Sequence, residues 1–214
     1  HLSIRRQRQM CIRDSHTPDG VKVAEIPTPR LVPGLPANVG IGRPALHKVL
    51  GDRTIAAGAN VRLGVTVTEL RDDGAGVDVT FSDESTGRFD IVVGADGVYS
   101  DTRSRIMPDE AGPEFTGQSV WRYNFPRPAD LDALHVYNGP IGAGLVPISH
   151  ELMYMYVTTP EPEKPVYPRD QLAAAMRAKM ERTAPQIRAM ADQITDNDGV
   201  VYRPLEGMML YGAW

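Results

Sequence analysis

The residues best suited to chemistry lie in one stretch, Gly94-Ala95-Asp96-Gly97-Val98-Tyr99-Ser100-Asp101-Thr102-Arg103. The preceding Ile91-Val92-Val93 is continuously apolar, as expected of a strand buried on both faces of an α/β sheet. Gly94 has no Cβ, so the backbone can turn there and a ligand can approach closely. Asp96 then falls at the carboxyl end of the strand, where open α/β sheets bind their ligands. Its carboxylate can accept hydrogen bonds from sugar hydroxyls. Gly97 offers a second unusual backbone conformation, and Ser100 can cap a short helix. Arg103 can return to pair with Asp96 or reach a phosphate. A bare Gly-x-Asp-Gly reads as a turn with no ligand. The full pattern G-A-D-G-x-x-S-x-x-R after an apolar strand is what points to a binding loop.

The flanking elements must hold that loop. A helix is expected from Gly42-Arg43-Pro44, because proline suits the first helical turn. Leu46, Val49 and Leu50 then share a face, and Gly58 is a natural stop. Residues 61–70 alternate, with Val61, Leu63, Val65, Val67 and Glu69 on one side. Asp73-Gly74 marks a turn, and residues 77–81 form the partner strand. Beyond Pro108, residues 115–125, 133–137, 141–148 and 152–158 read as strands of a largely antiparallel sheet. A proline-rich connector (161–168) leads to a helix over 171–182, with Asp170 as its N-cap. A shorter helix over 185–194 and a strand at 200–202 follow. Upstream, residues 16–39 are rich in Pro and Gly, with β-like pieces such as 21–24. The five prolines from Pro18 to Pro36 exclude a helix there.

Composition removes several function classes. The 214 residues are 42% hydrophobic, enough for a packed core. No apolar run approaches the roughly 20 residues that span a bilayer. The net charge is −4, with no basic stripe interleaved with aromatics, which argues against a nucleic-acid partner. None of the five histidines pairs with another at helical ligand spacing, so no metal site is expected. The single cysteine, Cys11, rules out an internal disulfide and fits a reducing cytoplasm. Cys11 lies, however, in a stretch that looks foreign. Residues 1–15, HLSIRRQRQMCIRDS, match neither a signal nor a transit peptide. Met10-Cys11-Ile12-Arg13-Asp14-Ser15 resembles a translated transposon mosaic end of the kind used as a sequencing adapter. The other reading is a basic N-terminal arm.

Gly94-Ala95-Asp96-Gly97 with Ser100 and Arg103 resembles the Asp-Gly motif of the flavoprotein aromatic hydroxylases, the para-hydroxybenzoate hydroxylase fold. Every position of that motif matches. The resemblance implies that Asp96 serves FAD and NAD(P)H binding, with Gly94 and Gly97 in the same loop and Arg103 holding it. Residues 41–50 are similar to the family's Arg-x-x-Leu-x-x-x-Leu helix, which implies that Arg43 lies near the flavin ribityl or phosphate region. Val67, in the strand between, could meet the adenine through its backbone, although a core valine reads the same way. Trp121-Arg122, Leu145-Val146-Pro147 and Tyr202-Arg203-Pro204-Leu205 are similar to landmarks of the family's substrate-covering sheet. Tyr123, Met153 and Met155 read first as core and second as candidates to line a substrate pocket.

The fold class implied is mixed α/β (α+β). An incomplete FAD-binding Rossmann-like domain is joined to a largely antiparallel substrate domain with helices. The division expected is 1–15 foreign, 16–40 a first excursion into the substrate domain and 41–107 part of the FAD domain. Residues 108–206 form the substrate sheet, and 207–214 begin a return to the FAD domain. The implied activity is an NAD(P)H-using monooxygenation of a small aromatic or related ring, with oxygen passing through a flavin C4a-hydroperoxide. Sister flavoenzymes of the same fold, such as a halogenase or an isoprenoid reductase, and a non-enzymatic α/β binding module are the alternatives. No catalytic base has specific support, and the oligomeric state is open.

The family's Gly-x-Gly-x-x-Gly, which cradles the FAD pyrophosphate at a helix N-terminus, is not in this sequence. Gly40-Ile41-Gly42 lacks the third glycine, and the later Gly-Asp motif is missing too. The resemblance therefore covers about residues 16–214, the middle of a longer enzyme. The 214-residue chain, purified alone, is expected to show no retained flavin absorbance. A stoichiometric bound flavin would overturn that expectation.

Overall fold

Strands in which every second side chain is apolar bury one face and leave the other open. That pattern organises most of this chain. A computed structural model describes residues 12–108 and 111–209. In chain order the elements are β1 (Ile12–His16), β2 (Lys22–Pro27), α1 (Arg43–Ala56), β3 (Val67–Asp72), β4 (Val77–Phe81), β5 (Thr86–Phe89), α2 (Asp101–Ile106), β6 (Glu114–Pro126), β7 (Leu134–Tyr137), β8 (Gly142–Pro147), β9 (Leu152–Pro160), α3 (Leu172–Met180), α4 (Pro185–Arg188) and β10 (Val201–Gly207). The chain divides into two compact units, His1–Leu46 with Phe115–Leu205, and His47–Glu114 with Glu206–Trp214.

The first unit is built on a seven-stranded sheet in the order β10-β6-β9-β8-β7-β1-β2. The pairings β6–β9, β9–β8, β8–β7 and β1–β2 are antiparallel, while β1 runs parallel to β7. β9 shows the alternation cleanly: Met153, Met155, Val157 and Thr159 are buried, and the residues between them are partly exposed. The buried row joins Trp121 and Phe125 of β6 and Met176, Met180 and Ile187 of α3 and α4 in one core. The strands expected at 115–125, 133–137, 141–148 and 152–158 all form, within a residue or two.

Two details of this unit differ from expectation. Asp170 does not cap α3, because it sits inside a 3₁₀ turn, Arg169–Gln171, one step too early. The orphan N–H of Ala173 is satisfied instead by Asn197 Oδ1 at 2.8 Å, a partner distant in sequence. Residues 12–15, for which the sequence suggested a foreign origin and no strand, run as a strand between β2 and β7. Sheet pairing uses N–H and C=O groups that every residue carries, so an extended segment of any origin can join the ladder. Asp14 of this strand forms an ion pair with Lys22 at 2.9 Å. Residues 1–11 lie outside the described residues.

The second unit centres on the antiparallel sheet β3-β4-β5. Arg88 of β5 pins it from one face, at 2.8 Å from Asp73 and 3.1 Å from Asp78. α1 ends as expected at Gly58, whose φ of +90° suits glycine. The strand expected over 61–70 starts only at Val67, since Gly64 takes φ +73° and breaks the extended run. Residues 91–93 correct a firmer expectation. They join no sheet, and Ile91 and Val93 are 78% and 79% exposed. A strand buried on both faces needs neighbours to pair with its backbone and cover its side chains. Among the described residues none does so. No helix among the described residues is long and apolar enough to cross a membrane, and none of their His, Cys, Asp and Glu side chains cluster as metal ligands.

One buried ion pair anchors the first unit. Glu161 is 4% exposed and meets Lys179 of α3 at 2.8 Å. It also accepts the Thr159 hydroxyl at 2.9 Å, and Thr159 Oγ1 in turn accepts the Trp121 indole N–H at 3.2 Å. Removing the ammonium strands a buried carboxylate. Lys179→Met should therefore destabilise this unit by roughly 2–3 kcal/mol, less than the roughly 3–5 kcal/mol of a fully buried pair because Lys179 keeps some solvent contact. Urea denaturation followed by Trp fluorescence reads this directly, and an unchanged midpoint would show the pair to be energetically idle.

Candidate cofactor site

The Asp96 loop is closed by its own side chains. Ser100 Oγ donates to Asp96 Oδ1, and Asp96 Oδ2 accepts the Thr102 N–H at 3.0 Å and the Thr102 hydroxyl at 3.1 Å. Ser100 Oγ also accepts the Arg103 N–H at 3.0 Å, so Ser100 caps α2 as expected. Gly97 reverses the chain at φ +88°, a conformation that other residues rarely adopt. Gly94 is required for a different reason. A Cβ there would lie 2.7 and 2.8 Å from the Cγ2 and Cβ of Thr102. The turn and the helix thus touch across the position where Gly94 has no side chain.

These hydrogen bonds stabilise the ionised carboxylate. The Ser100 hydroxyl, first, and the Thr102 backbone N–H, second, hold the Asp96 carboxyl well below the usual carboxylate range. Asp96 is therefore an anion throughout the physiological range, with lone pairs left over for further donors.

The loop borders an open cleft of about 270 Å³ within the second unit. Its walls are residues 65–67, Leu70, residues 92–96, Asp101, Thr102 and Arg105. Three residues singled out by sequence, Val67, Gly94 and Asp96, therefore meet in one place. A hollow of about 340 Å³ lies elsewhere, between β1, β2 and the proline-rich segment after them. It is larger, but it holds no motif residue and is bordered in part by residues 12 and 13, so we place no function there.

Other sequence expectations fare differently. Arg103 does not pair with Asp96. Its Nη1 donates to the Val98 carbonyl at 3.0 Å, because the reversal at Gly97 brings that carbonyl beneath α2. It holds the loop, but through the main chain. Gly97, Arg103 and Arg43 are not among the residues lining the cleft, and Arg43 stands exposed at the start of α1. The substrate candidates need correction. Met153 and Met155 are 0% exposed, inside the core beneath α3. Tyr123 is cross-strand partner to Met155 and packs edge-on against Phe125, on the same covered face. The period of two puts Arg122, Asn124, Tyr154 and Tyr156 on the opposite face. That alternation was the signal by which these four could have been chosen. Thr102 and Arg105, which also build the cleft, carried no such signal.

No family model matches the chain. Curated relatives do. Over 129 residues it is 27% identical to YetM of Bacillus subtilis, assigned as an FAD-dependent monooxygenase, covering 59% of this chain and 35% of YetM. Over 154 residues it is 27% identical to the aurachin C monooxygenase/isomerase of Stigmatella aurantiaca, covering 68% of this chain and 38% of that protein. The chain is a relative of the FAD-dependent monooxygenases. Its fold agrees: HpxO of Klebsiella pneumoniae, solved with FAD and uric acid, superposes with a TM-score of 0.79 at 20% identity, over 95% of this chain and 54% of HpxO. The chain thus spans little more than a third of the curated relatives it matches.

Ionisation of Asp96 links the loop to pH. Its folded pKa is depressed, so its contribution to stability is fully present above the unfolded value of about 4 and is lost as pH falls below it. Chemical denaturation of the second unit should therefore show a loss of stability as pH falls below about 4 that shrinks in Asp96→Asn. Identical pH profiles for the two proteins would mean that the carboxylate does not hold the loop.

Proposed function

We propose that this chain is the central part of an FAD-dependent, NAD(P)H-using monooxygenase that hydroxylates a small aromatic or related ring. The observation that carries this reading is the convergence of Val67, Gly94 and the ionised Asp96 on one cleft, in a chain related to FAD-dependent monooxygenases. The cleft suits a nucleotide cofactor. A fixed anion with spare lone pairs accepts hydrogen bonds from ribose or ribityl hydroxyls. The aliphatic walls of Val65, Val67 and Val92 suit a flat heterocycle. FAD, reduced by a nicotinamide and reoxidised by oxygen, would supply the oxygen-transfer chemistry. The protein supplies binding, orientation and exclusion of water.

On this reading the second unit is part of the cofactor domain and the seven-stranded sheet belongs to the substrate domain. Arg43, at the head of α1, is the cation that the family resemblance assigns to the ribityl or phosphate region. The substrate then meets the open face of the sheet rather than the methionine core. Arg122, Asn124, Tyr154 and Tyr156 stand on that face, with the Arg122 guanidinium 5.8 Å from the centre of the Tyr154 ring. The Tyr156 ring lies across Gly144, where an added Cβ would come within 2.3 Å of it. The result is a flat aromatic surface with one charged edge.

The test uses the longer reading frame around this chain. The expected result is a bound flavin and NAD(P)H oxidation stimulated by a small aromatic compound. Asp96→Ala should weaken flavin binding about tenfold or more, since one hydrogen bond to a charged group is worth roughly 1.5–3 kcal/mol. Full flavin affinity in that variant would sink the assignment of Asp96.

A further inference from the structure

The β3–β4 pairing slips at one point. Val67 faces Phe81 and Glu69 faces Thr80, so Thr68 is an extra residue in the ladder, a β-bulge. A bulge residue's own carbonyl is left without a cross-strand partner, and it must find one elsewhere. Here it does. Arg105 of α2 reaches across to donate from Nη1 to the Thr68 carbonyl at 2.6 Å, while the Thr68 hydroxyl donates to the Thr80 carbonyl at 3.1 Å. The bond joins residues 37 apart in sequence. On one side stands the strand that carries Val67. On the other stands the helix whose first turn, through Thr102, holds Asp96. Both sides are walls of the same cleft, and Arg105 lines it too.

We propose that Arg105 is a positioning residue of the cofactor cleft: by strapping α2 to the carbonyl freed by the bulge at Thr68, it sets the spacing between Val67 and Asp96. Arginine suits the task because its planar guanidinium stays charged and presents several donors from a long stem. Among the described residues no other hydrogen bond reaches from a side chain of α2 to β3, so without the strap the Thr102 N–H bond to Asp96 opens more often. This inference rests on the reading of the cleft as the cofactor site. Its mechanical half can be tested without any cofactor.

The experiment is amide hydrogen exchange by NMR on the 214-residue chain, comparing the wild type with Arg105→Met and Arg105→Lys, followed by titration of each with FAD. Methionine keeps the length of the stem and removes the donor; lysine restores a charged donor. We expect exchange at the Thr102 amide to rise about tenfold in R105M and to recover at least partly in R105K. The Val79 amide, in the middle of the same sheet, should change little. Equal acceleration at Thr102 and Val79 would show general destabilisation, and no acceleration at Thr102 would show that the strap does not act on the loop. Either result overturns the proposal. In the titration, FAD should shift Val67 and Asp96 resonances in the wild type and shift them less in R105M. Because the chain alone is expected to retain no flavin on purification, FAD is raised to millimolar concentration, where weak binding is visible; a wild type in which neither resonance then moves would refute the cofactor reading, while the exchange data would still decide the strap.

Discussion

A single carboxylate organises the second unit around its cleft. Asp96 accepts from Ser100, from the Thr102 main chain and from the Thr102 hydroxyl, and Ser100 simultaneously caps α2. One anion therefore closes the loop, starts the helix and faces the space where a ligand can sit. The glycines on either side serve this arrangement in different ways. Gly97 supplies a backbone angle, and Gly94 supplies room for Thr102. Arg103 adds a second closure through the Val98 carbonyl. Such a constellation is rigid because each donor has a fixed acceptor, and a binding loop must be rigid if it is to select a ligand rather than mould itself to one.

The seven-stranded sheet solves a different problem. It must present one face to a core and leave the other free. Alternation along β9 and the second half of β6 does this, with Trp121, Met153 and Met155 inward and Arg122, Tyr154 and Tyr156 outward. The inward face is sealed by α3 and α4 and by the buried Glu161–Lys179 pair. The helices seal one side, while on the other Arg122 and Asn124 of β6 stay exposed, although β8 is buried on both faces. This is a physical reason to look for the substrate away from the helices.

Much of this was legible in the sequence, for identifiable reasons. The strands of the large sheet announce themselves because alternation is local, and the pattern at Asp96 specifies its own hydrogen bonds within seven residues. What failed depended on distant partners. The cap of α3 comes from Asn197, and Asp170 looked correct only because the 3₁₀ turn before the helix cannot be seen in sequence. Residues 91–93 have the composition of a buried strand, but regular structure there needs neighbours that the described residues do not provide. Met153 and Met155 were chosen as pocket candidates by type; the face on which they fall, read from the period of two, decides against them. Arg105 was invisible because its acceptor is created by a one-residue slip in a strand 37 positions away.

That slip bears on how the site can drift. The acceptor at position 68 is a peptide carbonyl, present whatever amino acid stands there, so the side chain at 68 can vary without loss of the contact. The donor at 105 is a side chain with few equivalents. One half of the contact is thus written into the backbone and the other into a single codon. Mutational tolerance across this cleft is accordingly lopsided: the strand can vary at this contact, and the constraint falls on the helix that grips it.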